Sequence, residues 1–181
     1  MRKVIFSINV TINGYADHTN VIADDDLHDF FTDLLNDVDV ALFGRKTYQL
    51  MESYWPNARN YSRCTDSEKY FADKINSVNK IVFSKTLNSV SWENSELRKK
   101  DLIEEVSTLK KQNGKNISIG SLSLASQLLT TKLIDEYYFL VHPFVLGDGN
   151  RLFDTFNQKL ELTLIDTIKF RSGVIVLHYR K

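Results

Sequence analysis

The chain has one cysteine, little proline and glycine, and no surplus of charge of either sign. Among its 181 residues are one Cys, two Pro and seven Gly. The single Cys64 excludes an internal disulfide and a cysteine-rich zinc site. It stands in a polar stretch and reads as an unpaired loop thiol with no catalytic partner. Lys and Arg together number 23, as do Asp and Glu, so the formal net charge is zero. That balance removes the general signature of nucleic-acid or acidic-membrane binding. No run approaches the roughly 20 apolar residues of a membrane span. The start, Met1-Arg2-Lys3-Val4-Ile5-Phe6, is basic and then apolar, as in a signal peptide. Asn9, Thr11 and Asn13 interrupt it at strand spacing, and no small-residue cleavage site follows, so the expectation is a cytoplasmic protein. His18, His28 and His178 show no metal-ligand spacing, and no metal site is expected.

What is present points to a folded α/β protein. Hydrophobic residues make up 43% and aromatics 12%, too much for a disordered chain. The length fits one domain, residues 1–181. Val4, Phe6, Ile8, Val10 and Ile12 alternate with other residues, which predicts a strand ending at the turn Asn13-Gly14. Leu27, Phe30, Phe31, Leu34, Leu35 and Val38 recur at helical spacing behind Asp24-Asp25-Asp26, carboxylates suited to a helix start. Val38 to Phe43 and Lys80 to Ser84 read as buried strands. Short helices are expected over 45–51, 66–77, about 102–109 and 122–129, and strands over 116–119 and 137–145. Residues 54–65 read as a loop. Two last strands, about 160–170 and 174–180, join at Ser172-Gly173 as a hairpin. The βαβα order implies an open, largely parallel sheet with helices on both faces and a C-terminal antiparallel hairpin. In such sheets ligands bind outside the carboxyl ends of the strands.

Two junctions share one design: buried strand, glycine, helix. They are Leu42-Phe43-Gly44-Arg45-Lys46-Thr47 and Ile117-Ser118-Ile119-Gly120-Ser121-Leu122. Glycine allows close backbone approach, and a helix start offers free N–H groups and a positive dipole end. Together they could hold the two phosphates of a dinucleotide, with Arg45, Lys46, Thr47, Ser84 and Ser121 as further partners. Either alone is also what any αβ protein uses for a tight turn. One of Asp24, Asp25 and Asp26 could protonate or orient a substrate, or all three could be a solvated helix start. Trp55 could stack on a flat substrate or plug the core. His142, before Pro143, reads as a strand residue with a satisfied imidazole.

Taken together these residues resemble dihydrofolate reductase and, more closely, the reductase domain of bifunctional riboflavin-biosynthesis deaminase–reductases. Phe43-Gly44-Arg45-Lys46-Thr47-Tyr48 is similar to the G-R-x-T-[WY] segment of the former. Gly120-Ser121, Leu133-Ile134-Asp135-Glu136 and the tail Pro143-Phe144-Val145-Leu146-Gly147-Asp148-Gly149-Asn150-Arg151-Leu152-Phe153 resemble the riboflavin-type pattern. The resemblance implies a dihydrofolate reductase-like sheet of about eight strands, a small-molecule substrate and NADPH over the carboxyl edge. Gly44, Arg45, Lys46 and Thr47 would hold its phosphates, Ser84 and Lys85 would sit by the 2′-phosphate, and Gly120 and Ser121 would back the pyrophosphate and nicotinamide. The catalytic candidates are Asn13, which replaces the carboxylate of the family's S-x-D-G segment, and Asp26, from the acidic start of the first helix. Trp55 is the candidate substrate contact. The implied reaction is hydride transfer to a ribosylamino-pyrimidine or similar heterocycle. The alternatives are a true dihydrofolate reductase and a non-catalytic nucleotide-binding module. A homodimer is expected through the C-terminal part of the sheet, where Tyr137, Phe139, Phe144, Phe170 and Tyr179 are candidates for exposure. No deaminase domain is expected within these 181 residues.

Overall fold

The alternating N-terminal segment forms strand β1, Val4–Thr11, in the computed structural model, and all eight of its residues are buried. Residues 1–16, 18–154 and 156–181 are described. One face of β1 carries Val4, Phe6, Ile8 and Val10 into the main core. The other carries Ser7, Asn9 and Thr11, buried as well, so polar side chains there need partners. The elements after it are β2 (Tyr15–Ala16), α1 (Asp25–Asn36), β3 (Val38–Gly44), α2 (Arg45–Glu52), a 3-10 helix (Trp55–Asn60), α3 (Asp66–Ser77), β4 (Asn79–Phe83) and β5 (Ser95–Arg98). Then come α4 (Leu102–Lys111), β6 (Asn116–Ile119), α5 (Leu122–Leu128), a 3-10 turn (Leu129–Thr131), β7 (Glu136–His142), β8 (Asn150–Arg151), β9 (Thr163–Lys169) and β10 (Ile175–Arg180).

The strands join one sheet in the order β5-β4-β3-β6-β1-β7-β10-β9, with β2 and β8 paired off this path. From β5 to β7 every neighbour on the path is parallel. The closing pairs β7–β10 and β10–β9 are antiparallel. The expected architecture of about eight strands, helices on both faces and a terminal hairpin is therefore present. Helices α4 and α5 cover one face through Val106, Leu109, Leu124 and Leu128. Helices α1, α2 and α3 cover the other through Leu35, Tyr48, Phe71 and Ile75. Local capping fixes the helix starts. The Asp24 carboxylate accepts from Leu27 N at 2.9 Å, and Thr65 with Glu68 forms a capping box on α3.

The Leu133-Ile134-Asp135-Glu136 segment works at the amino end of the strands, away from their carboxyl edge. The Asp135 carboxylate accepts from Val4 N at 2.7 Å and pairs with Lys110. Glu136 is buried and gathers Lys3 at 2.7 Å, His178 at 3.2 Å and Arg180 at 3.3 Å. Burial pushes its carboxyl up, but the Lys3 ammonium foremost, with Arg180, holds it below the usual range. The segment thus ties β1, β7 and β10 together.

Several expectations change. Strand β5 and the short pair β2–β8 carry too little periodicity to be read in advance. The 54–65 stretch contains a 3-10 helix with a hydrophobic underside. Cys64 is buried beside Ala58 and Ala72, and burial raises its thiol pKa. Tyr137 and Phe170 are buried, and Phe139, Phe144 and Tyr179 half-buried. The apolar groups left exposed near the C-terminus are instead Leu164, Ile165, Ile168 and Ile175. The first three lie on β9, the edge strand, whose seven residues are all exposed, and Ile175 opens β10 beside it.

Two histidines are built in as neutral groups. His142 is fully buried; its Nδ1 accepts from Ile22 N at 3.2 Å and its Nε2 faces Asn9 Oδ1 at 3.1 Å. An amide oxygen can only accept, so Nε2 carries the hydrogen. The imidazole is satisfied, as the sequence suggests. His28 packs against Trp55 and Phe71. Burial lowers both from the ordinary 6.5. Below that pH the unfolded chain binds more protons than the folded one. Stability should therefore be full above about pH 6.5 and fall as the pH drops through 6.5 toward 5. Urea midpoints measured across that range check this. A midpoint that stays level, with both C2 protons titrating near 6.5 by NMR, would contradict it.

Candidate active site

The cleft begins where the sheet is interrupted beside β1. On one side β7 pairs with β1 continuously, from Ile5 to Thr11. On the other, β6 pairs only as far as Phe6, opposite Ile119, and then the chain turns away at Gly120. Further along, β2 takes up the vacated side, with Ala16 opposite Val10. Ile8 lies at the gap between them. It lines a cavity of about 1280 Å³ together with the starts of α2 and α5 and the β2–β8 pair.

The two strand–glycine–helix junctions meet at this gap. A Cβ placed on Gly44 would lie 2.8 Å from Ser121 Oγ and 3.0 Å from Ser123 Oγ. Only glycine lets the second junction approach the first so closely. Neither helix start is capped by a side chain. Their first N–H groups are left facing the cleft, the arrangement that attracts anions. Arg45, Lys46, Thr47, Ser121 and Ser123 line it. Gly120 has nothing within 4 Å of a built Cβ, so the chain opens onto free space there.

The opposite wall is carried by Tyr15, Ala16 and the strap Gly147-Asp148-Gly149-Asn150-Arg151. Gly149 adopts φ +131°, and a Cβ there would meet the Tyr15 ring at 3.4 Å. The strap is knitted to the turn after β1. Ile12 N donates to Phe144 O at 3.1 Å and Leu152 N to Gly14 O at 2.8 Å. Between them the Asn13 amide pairs with both the N–H and the C=O of one residue. Its Nδ2 donates to Leu146 O at 2.7 Å and its Oδ1 accepts from Leu146 N at 3.2 Å. Thr11 Oγ1 donates to the same Oδ1 at 2.8 Å and accepts from Tyr15 N. A carboxylate at position 13 has no proton for Leu146 O. The amide that replaces the family's carboxylate is therefore matched to its surroundings.

Not all the sequence candidates come together. Ser84 follows β4, next to Gly44, but lies outside the cavity lining. Its hydroxyl accepts from Thr86 N and Leu87 N instead. Lys85 is exposed beside it. Trp55 does not line the cavity; it packs on Phe71 at 4.5 Å and on Tyr54, where it fills the core behind α3. The three carboxylates at the start of α1 are each engaged. Asp24 caps its helix, Asp25 accepts from Thr65 Oγ1 at 2.7 Å, and Asp26 takes a two-pronged contact from Arg171. That guanidinium holds the Asp26 carboxyl below its usual range. None of the three lines the cleft, and neither does Asn13. The carboxylates that do are Asp148 and Asp154. Tyr15 and Asp154 line the cleft without any sequence signal of their own, while Arg151 lies in the tail motif, beside the glycine pair around Asp148 that marks a chain passing close to another.

A mixed sheet, parallel from β5 to β7, with a cleft at the carboxyl ends of its central strands defines an open α/β fold. The chain belongs to the RibD C-terminal domain family, which it matches over residues 2–176. It is 35% identical, over 98% of its length and 94% of the relative's, to the uncharacterized protein YyaP of Bacillus subtilis (strain 168). Among solved structures it resembles RibD of Acinetobacter baumannii, with a TM-score of 0.72, 16% identity, and coverage of 99% of this chain and 58% of that one. It also resembles a pyrimidine reductase-like protein of Corynebacterium diphtheriae, with a TM-score of 0.68, 16% identity, and coverage of 99% and 91%. These two likenesses establish the fold.

Replacing Asn13 by Asp should release the strap. Hydrogen exchange at the Leu146 and Leu152 amides should speed up about tenfold or more at pH 8, the equivalent of one lost bond, while exchange at Ile119 stays unchanged. Equal exchange in both proteins would show that the amide does not hold the strap.

Proposed function

We propose that the protein is an NADPH-dependent reductase of the riboflavin-biosynthesis type, transferring hydride to a small heterocycle such as a ribosylamino-pyrimidine. The observation that carries this reading is the meeting of two uncapped helix starts, with Arg45 and Lys46 on the first, in one cleft at the carboxyl edge. The donor set fits a dinucleotide: two groups of backbone N–H, three hydroxyls from Thr47, Ser121 and Ser123, and the cations Arg45 and Lys46. Bound NADPH supplies the hydride, and the chain supplies orientation and electrostatics. Thr47 and Ser121 orient the phosphates, Ile8 closes the floor, and the strap shields the reacting face from water. Asp148 and Asp154 are the acids within reach of a substrate in the cleft. The carboxyls of Asp24, Asp25 and Asp26 are engaged elsewhere, so the α1 start does not favour a true dihydrofolate reductase. A nucleotide-binding module without turnover remains the second reading, favoured by the full engagement of Asn13 with Leu146.

The same reading makes the protein cytoplasmic, where NADPH and a phosphorylated substrate are found. Among the described residues no helix is long and apolar enough to cross a membrane. It also makes the protein a homodimer, with the exposed apolar side chains of β9 and β10 as the contact.

NADPH titration followed by fluorescence tests the cofactor reading. Binding should occur at micromolar concentration, and Arg45→Ala should weaken it by about tenfold, the scale of one charge-assisted hydrogen bond. The loss should be greater for NADPH than for NADH if Arg45 meets the 2′-phosphate. NADPH oxidation with 5-amino-6-(5-phosphoribosylamino)uracil and with dihydrofolate then separates the readings. Turnover on the first supports the riboflavin-type reductase. Binding without turnover on either favours the module. No binding at millimolar NADPH would overturn both.

A further inference from the structure

The cleft holds a third cation that the cofactor reading leaves unused. Arg151 lies on the β2–β8 wall, across from the helix starts that carry Arg45 and Lys46. Its side chain is exposed, and among the described residues its side-chain contact is with Tyr15. The guanidinium carbon sits 5.2 Å from the Tyr15 ring centre, and one nitrogen reaches Tyr15 Oη at 3.5 Å. Among the described residues no carboxylate pairs with it, although Asp148 and Asp154 line the same cavity.

Three physical points follow from this placement. First, stacking on a ring fixes the plane of a guanidinium while leaving most of its N–H donors free. Second, the Tyr15 ring is itself fixed, because it is buried and Gly149 packs against it. Third, the backbone carrying Arg151 is immobilised by the Asn13–Leu146 pairing and by Leu152 N to Gly14 O. The Tyr15 ring thus steadies the Arg151 guanidinium at the cleft and leaves most of its donors free. The cavity, about 1280 Å³, exceeds the roughly 300–1,000 Å³ of a single small-molecule site. It has room for a second molecule beside a dinucleotide.

We propose that Arg151, held on Tyr15, is the specificity residue of the cleft and binds an anionic group, phosphate or carboxylate, on the substrate. The inference rests on the reductase reading for the word substrate; the anion site itself does not require it. Asp148 and Asp154 beside it repel a poorly placed anion, so only a group that reaches the guanidinium directly is accepted. A neutral analogue of the substrate gains nothing from this wall.

The test uses three probes on protein saturated with NADPH: ribose 5-phosphate, ribonate and ribose, titrated by calorimetry. At least one of the two anions should bind about tenfold or more tightly than ribose. Arg151→Gln should abolish that preference, and NADPH affinity should change less than about twofold. Arg151→Lys, which keeps the charge but loses the fork, should retain part of it. Unchanged melting temperatures would show that both variants fold. An anion preference that survives Arg151→Gln would overturn the proposal, as would equal weak binding of all three probes to the wild type. If NADPH itself fails to bind, the same titrations are run without it. A preference lost in Arg151→Gln would then support the anion site while the reductase reading falls.

Discussion

The close approach of Ser121 to the bare backbone of Gly44 is the constraint on which the cleft depends. β3 and β6 are adjacent and parallel, so their carboxyl ends finish side by side. The chain leaves β3 into α2, on one face of the sheet, and leaves β6 into α5, on the other. Two helices on opposite faces can share one anion site only if both begin at the same point of the edge. With 2.8 Å between the Ser121 hydroxyl and the position of a Gly44 Cβ, a side chain at 44 would crowd the Ser121 and Ser123 hydroxyls, which would have to turn away from it. Those two hydroxyls line the cleft, so the groups displaced are groups that would meet phosphate.

The second wall follows from the polar face of β1. Asn9 and Thr11 point into the interior and find partners there: His142 for Asn9, and Asn13 with Tyr15 for Thr11. This network carries order from the central strand to the strap around Gly147, which has little apolar burial of its own. The far ends of the strands are closed by Asp135 and Glu136. The sheet therefore has a structural end and a binding end, and the charges in each are matched to their task. At the amino end the buried Glu136 and half-buried Asp135 carboxylates are neutralised by Lys3, Lys110 and Arg180. At the carboxyl end Arg45, Lys46 and Arg151 face the cleft.

Much of this was legible from the residues alone. Period-two and period-3.6 patterns fixed β1, β3, β6 and α3 within a residue or two, because each buries one continuous apolar face. The two glycine junctions were visible because seven glycines in 181 residues leave few to explain. What could not be read depended on long-range pairing. Asn13 looked like a weakened catalytic acid; it is a side-chain bridge to Leu146, 133 residues away. Trp55 and Asp26 looked available to a ligand until Phe71 and Arg171 were found against them. Tyr15 and Arg151 belong to strands of two residues, too short for any periodicity. An exposed apolar surface was expected from Tyr137, Phe139, Phe144, Phe170 and Tyr179, but Tyr137, Phe139 and Tyr179 pack in or against the main core and Phe170 in a smaller cluster, leaving β9 outermost.

The central claim is that Gly44 and Ser121 form one binding unit. It is tested most directly by a double-mutant cycle on NADPH affinity, comparing Gly44→Ala, Ser121→Ala and the two together. The account predicts that Gly44→Ala weakens binding, and that removing the Ser121 hydroxyl from that variant restores part of the loss. The coupling should be at least about 0.5–3 kcal/mol, the range found for residues in contact. Strictly additive losses would contradict it, because the two junctions would then act on the cofactor separately.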